Sequence, residues 1–155
     1  MKPEVLRIEK EINADPIKIF RAWLNAEDFA LWFLSGEGIE IESVIMDPRP
    51  GGKFIINMEL DGKILPHEGE YITIDEPNKL VFTWRSHATD NKDTLVTITF
   101  EEIKDIISKS GKVGKQKTLV TLVHEELTSE IQVKMHNHGW TNILEGLDQW
   151  INSGK

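Results

Sequence analysis

The sequence predicts an α+β fold: one antiparallel meander of six or seven strands, two short helices after the first strand, and one long helix at the C-terminus. Apolar and polar residues alternate over residues 4–13 and again from residue 39 to about 127. Turn-forming dipeptides separate those later runs. From about residue 129 the apolar residues return to helical spacing. With 155 residues, 39% of them hydrophobic, the chain is long enough for one core, and a single domain spanning 1–155 is expected.

Each element has its own local reason. Leu6, Ile8 and Ile12 face Arg7, Glu9 and Glu11 across the period of a half-buried strand. Asp15 then stands at an N-cap and Pro16 at the first helical position, where its missing N–H costs nothing. Ile17, Phe20, Trp23 and Leu24 are the expected buried face of that first short helix; Phe29, Trp32 and Phe33 are that of the second. In "KFIINMEL" Phe54, Ile56, Met58 and Leu60 share one side, and Asp61-Gly62 suits a two-residue hairpin turn into "KILPHEGEYITID". "EPNK" and "ATDNKD" turn the chain into "LVFTWRS" and "TLVTITFEEI", and "TLVTLVHEEL" is the last strand. Trp140, Ile143, Leu144, Leu147, Trp150 and Ile151 then line one face of a helix with Gly154 beyond its end; extended back to Ser129, that face gains Val133 and His136.

Composition excludes several functions. A net charge of −8 without a basic stripe argues against nucleic acid. Without cysteine there is no disulfide, thiolate zinc site or thiol nucleophile. No apolar run is long enough to span a bilayer, and the charged N-terminus lacks a signal-peptide pattern, so a cytoplasmic location is expected. One basic stretch, "KDIISKSGKVGKQK", carries Lys104, Lys109, Lys112, Lys115 and Lys117 and reads as a solvated hairpin loop, with docking of an acidic partner as the alternative.

His136 and His138 lie two apart in "MHNHGW", and residues two apart on a helix do not face each other. They are poorly placed to share one ion, and neither a metal nor a cofactor is expected. In "PRPGG" Pro50 and Gly51 suit a tight turn and Gly52 permits close backbone approach; in "GWTNILEGL" Gly139 is expected to let the sheet approach the helix. Alternation places Glu68 and Glu70 on one side of their strand and His67 on the other.

Four stretches, "ADPIKIFRAWLNAEDFALWF", "DPRPGGKFIINM", "GEYITIDEPNKLVFTW" and "GWTNILEGLDQWI", follow one another in an order that resembles the helix-grip fold of the START-like (SRPBCC) superfamily. The branch they are most similar to is the C-terminal domain of the activator of heat-shock protein 90 ATPase. The resemblance implies a curved sheet wrapped around the last helix, with a cavity between them.

The expected function is a small-molecule or lipid-binding module holding an apolar ligand in that cavity. Its expected lining is Phe54, Met58, Phe82, Trp84, Val133, His136, Trp140 and Leu144, with His136, His124 or Arg85 orienting a polar end. The alternative implied by the resemblance is a co-chaperone-like interaction domain with a chaperone partner. A third reading is a cyclase- or hydrolase-like enzyme using the same cavity, with His124, His136 and Glu70 as acid/base candidates; no tightly spaced catalytic motif supports it.

Overall fold

The computed structural model describes residues 4–33, 39–103 and 117–153. The lysine-bearing stretch from Lys104 to Lys115 lies outside them, as does Gly154.

The elements are β1 (Glu4–Ile12), α1 (Pro16–Ala22), α2 (Ala26–Trp32), β2 (Glu40–Met46), β3 (Lys53–Leu60), β4 (Lys63–Asp75), β5 (Lys79–Trp84), a single 3-10 turn (His87–Thr89), β6 (Thr94–Ile103), β7 (Lys117–Leu127) and α3 (Glu130–Ile151). The seven strands form one antiparallel sheet in the order β1-β7-β6-β5-β4-β3-β2, so the meander is complete and β1 closes onto β7. This is the helix-grip arrangement, an α+β fold with α3 against the inner face of a curved, open sheet.

Caps fix the helix starts. Asp15 Oδ1 accepts from the Ile17 N–H at 3.1 Å and Asn25 Oδ1 from that of Asp28 at 3.0 Å, while Ser129 caps α3 by accepting from Gln132. The buried face of α1 is Ile19 and Phe20, continued by Trp23; Ile17 and Leu24 are only half-buried. The helix is two turns long, and its packing is set by the edge-to-face contact of Phe20 with Phe100, at 5.3 Å between centroids, which turns Ile19 inward in place of Ile17. The buried face of α2 is Phe29 and Trp32, followed by Phe33.

Three glycines permit close approach. A Cβ at Gly52 would stand 2.0 Å from the Asp47 carbonyl oxygen, the close backbone approach expected of this turn. A Cβ at Gly69 would stand 1.9 Å from the Thr83 carbonyl oxygen and 2.6 Å from the Phe54 ring. Here β4 passes from its pairing with β3 to its pairing with β5, with a register shift between Tyr71 and Thr73. At Gly146 a Cβ would meet the Trp32 carbonyl at 2.8 Å, so this glycine seats the end of α2 on α3. Gly139, expected to serve that purpose, does not: a Cβ there finds nothing within 4 Å.

Aromatic rings fill one end of the space between sheet and helix. Trp23, Phe29, Trp32 and Phe33 pack on one another and reach Trp84 and Trp140, with Phe33 stacked on Phe29 at 4.1 Å. Only about 20 Å³ remains open among Trp23, Phe29, Phe33, Phe54, Phe82 and Trp84, about the room of one water.

Candidate functional site

Beyond that aromatic plug the inner face of the sheet parts from α3. The gap is a cavity of about 310 Å³, with walls from β3 (Met58, Leu60), β4 (Leu65, His67), β5 (Trp84), the 3-10 turn (His87, Ala88) and α3 (Met135, His136, His138, Gly139, Trp140, Ile143), and with Ile39 also in the lining. Its size falls at the low end of small-molecule sites, roughly 300–1,000 Å³.

Of the expected lining, Met58, Trp84, His136 and Trp140 reach this cavity. Phe54 and Phe82 do not, because the side chains of α1 and α2 pack over their end of the sheet and make them part of the aromatic plug. Leu144 is 1% exposed within the core, and Val133 packs against the core from a half-buried position; neither lines the cavity. Arg85 pairs instead with Glu68 at 2.6 Å and lies near Asp93 at 3.6 Å. Glu70 is exposed, on the outer side of β4, where it cannot act in the cavity.

His124 is fully buried behind the wall, with both ring nitrogens engaged. Thr94 donates its hydroxyl to the Trp84 carbonyl at 2.7 Å, so its oxygen accepts from His124 Nε2–H at 2.6 Å. Trp140 Nε1–H donates to His124 Nδ1 at 3.0 Å. The tautomer follows from these partners, and protonating Nδ1 would set one N–H against another. Burial lowers the pKa to about 3, with nearby His136 acting in the same direction. This histidine fixes Trp84 and Trp140 rather than offering a base to the cavity.

His136 lies edge-to-face on His124 at 4.8 Å between centroids and is 8% exposed. Its Nδ1 is 2.7 Å from the Gln132 carbonyl, one turn back along α3. His67 is similar, with Nδ1 2.9 Å from the Leu65 carbonyl. A carbonyl only accepts, so in both rings Nδ1 carries the proton and the neutral ring keeps a lone pair on Nε2. Burial lowers the pKa of His136, and the Gln132 carbonyl works against that shift. Burial takes His67 down to about 4, opposed by the Leu65 and Ile56 carbonyls and reinforced by His87 and His136.

The helical wheel sets His138 on a different side of α3 from His136, yet both border the cavity, because the opening curls around the helix onto Met135 and His138. Sequence reasoning also left His87 out of the lining. The 3-10 turn that carries it is capped by Ser86, whose side chain accepts from the Ala88 N–H at 3.1 Å. Buried Gln132 ties this region to α3: its amide donates to Asp90 at 3.1 Å and its oxygen accepts from the Thr128 N–H at 3.0 Å. The one signal in the sequence was Ser129-x-x-Gln132, a capping pattern. Among the described residues no three or more His, Asp or Glu are placed to hold a metal ion, and no helix is long and apolar enough to cross a membrane.

Because His67 and His124 are held neutral in the fold, the unfolded chain binds more protons than the native one from pH 6.5 down to their native values of about 4 and about 3. Stability is full above that window and declines as the pH falls through it. A scan of Tm against pH should therefore slope downward below 6.5, and less steeply in His67→Phe; an unchanged slope in the variant would contradict this assignment.

No curated protein matches the chain. Among solved structures, a protein from Chromobacterium violaceum is similar with a TM-score of 0.73 and 22% identity over 94% of this chain and 95% of that one. A protein from Rhodobacter sphaeroides reaches 0.75 at 15% identity, covering 97% of this chain and 94% of that one. An AHSA1-like protein from Aeromonas hydrophila gives 0.69 at 18%, covering 96% and 93%. At these identities the likeness establishes the fold, which they share. The family model described as Activator of Hsp90 ATPase homolog 1-like protein matches residues 13–152, and the chain belongs to that family, within the START-like superfamily.

Proposed function

We propose that the chain is a binding module for a small apolar molecule, held between α3 and the β3–β5 part of the sheet. The observation that supports this reading is the cavity itself. In a protein whose helix–sheet contact is elsewhere packed with interlocked aromatic rings, about 310 Å³ stays open against Met58, Leu65, Trp84, Met135, Trp140 and Ile143. Gly139 keeps it open at the helix surface. The family name describes an ATPase activator, and the lysine-bearing stretch, read as a solvated hairpin loop with docking of an acidic partner as the alternative, lies almost wholly outside the described residues, so the cavity carries the proposal.

The test is a titration followed by tryptophan emission, since Trp84 and Trp140 are both wall residues. Bicyclic terpenoids and short fatty alcohols, which do not absorb in the tryptophan range, should give a saturable change. A flat response across the panel from folded protein would sink the proposal.

A further inference from the structure

The five histidines of the chain are not scattered. His67, His87, His136 and His138 line the cavity, and His124 supports it from behind. Among the described residues no Asp, Glu, Lys, Arg, Ser, Thr, Asn or Gln side chain contributes to the lining. Trp140 N–H is taken by His124, and the Trp84 N–H is buried with no acceptor among the described residues. The side-chain acceptor that the described lining offers a molecule in this cavity is therefore imidazole.

The hydrogen bonds above decide what the imidazole offers. His136 gives its Nδ1 proton to the Gln132 carbonyl, which leaves Nε2 as an acceptor with no partner among the described residues. The surroundings do not favour an imidazolium: among the described residues the titratable groups that interact with it are His124 on β7, His87 on the 3-10 turn and His67 on β4, while the Asp90 carboxylate is engaged by the Gln132 amide. An anion would need a protonated ring to receive it. A neutral hydroxyl donates to the ring as it stands.

From this we infer that the cavity selects an apolar, ring-sized molecule that carries a hydrogen-bond-donating hydroxyl, phenol-like rather than carboxylate, with His136 Nε2 as the acceptor. The inference rests on the binding reading above and narrows it. The volume suits two fused rings, being roughly twice that of a cavity that holds benzene. A ligand that covers this acceptor without offering a donor strips its hydration, so such a ligand should bind less well.

The experiment is calorimetric titration of the full chain with 2-naphthol, 2-methoxynaphthalene and 2-naphthoate. The first donates, the second has the same rings and oxygen but no proton to give, and the third is an anion. The expected result is that 2-naphthol binds about tenfold more tightly than the methyl ether, the size of one net buried hydrogen bond. That preference should vanish in His136→Phe, which keeps an aromatic ring, and persist in Glu70→Gln on the outer side of β4. In ¹⁵N spectra of labelled histidine, 2-naphthol should move the His136 Nε2 resonance. Equal binding of naphthol and methyl ether overturns the hydroxyl inference and leaves the cavity reading intact. Tightest binding of 2-naphthoate overturns it in favour of an imidazolium site. Failure of all three to bind overturns both.

Discussion

Gly139→Phe is expected to weaken ligand binding by about 100-fold or more, equivalent to about 2.7 kcal/mol, while leaving the protein folded. Two observations combine here. Gly139 lines the cavity, and a Cβ at this position finds nothing within 4 Å, so a benzyl group enters open space instead of displacing packed atoms. On a helix the new side chain leans back toward the N-terminus, over the turn that holds Met135 and His136, which is the part of α3 that borders the opening. The backbone gains as well, because glycine inside a helix costs about 1 kcal/mol relative to alanine and phenylalanine costs less. Lost binding with an unchanged or raised Tm is the expected pair of results. A variant that still binds at the wild-type level would place the ligand elsewhere, and one that unfolds would mean the space at Gly139 is not open.

His124→Leu is expected to lower stability by about 2 kcal/mol, even though leucine fills a similar volume in an apolar setting. The cost arises from the groups the histidine leaves behind. Trp140 N–H loses its acceptor and the Thr94 oxygen its donor, both deep in the protein. Trp140→Phe removes the first of those groups, so in that background His124→Leu should cost about 1 kcal/mol less. Denaturant unfolding of the two single variants, the double variant and the wild type measures this coupling. Additive costs would mean that the 3.0 Å contact contributes nothing, and the explanation of why this histidine is buried would fail.

The same residues show how far the sequence could be read. Strand faces were legible because alternation has only two outcomes and the buried side is the apolar one; His67 opposite Glu68 and Glu70 follows from parity alone. The start of α1 was legible at Asp15 because capping is local chemistry. The position of the cavity was not. Whether Phe54 lines open space or packed space depends on the rings that α1 and α2 deliver from a distant part of the chain, and no periodicity within β3 carries that information. His138 was missed for a different reason. The cavity-bordering residues of α3, from His138 through Gly139, Ile143 and Met135 to Trp140, span about 200° of the helical wheel, whereas the wheel argument assumes a single narrow buried stripe. Gly139 and Gly146 look alike in sequence, and only the neighbours decide that one opens a cavity while the other seats a helix.

A ¹H–¹⁵N correlation spectrum of the labelled chain titrated with naphthalene, which has no polar group, probes the cavity without the histidine chemistry. Saturable shifts are expected in the amides of Leu65, His67, Ala88, Met135, Gly139 and Ile143, and none in Gly139→Phe. Shifts gathered instead on the outer face around Ile45, Ile55 and Ile72, or no shifts up to the solubility limit of naphthalene, would mean that the space between sheet and helix holds no apolar ligand.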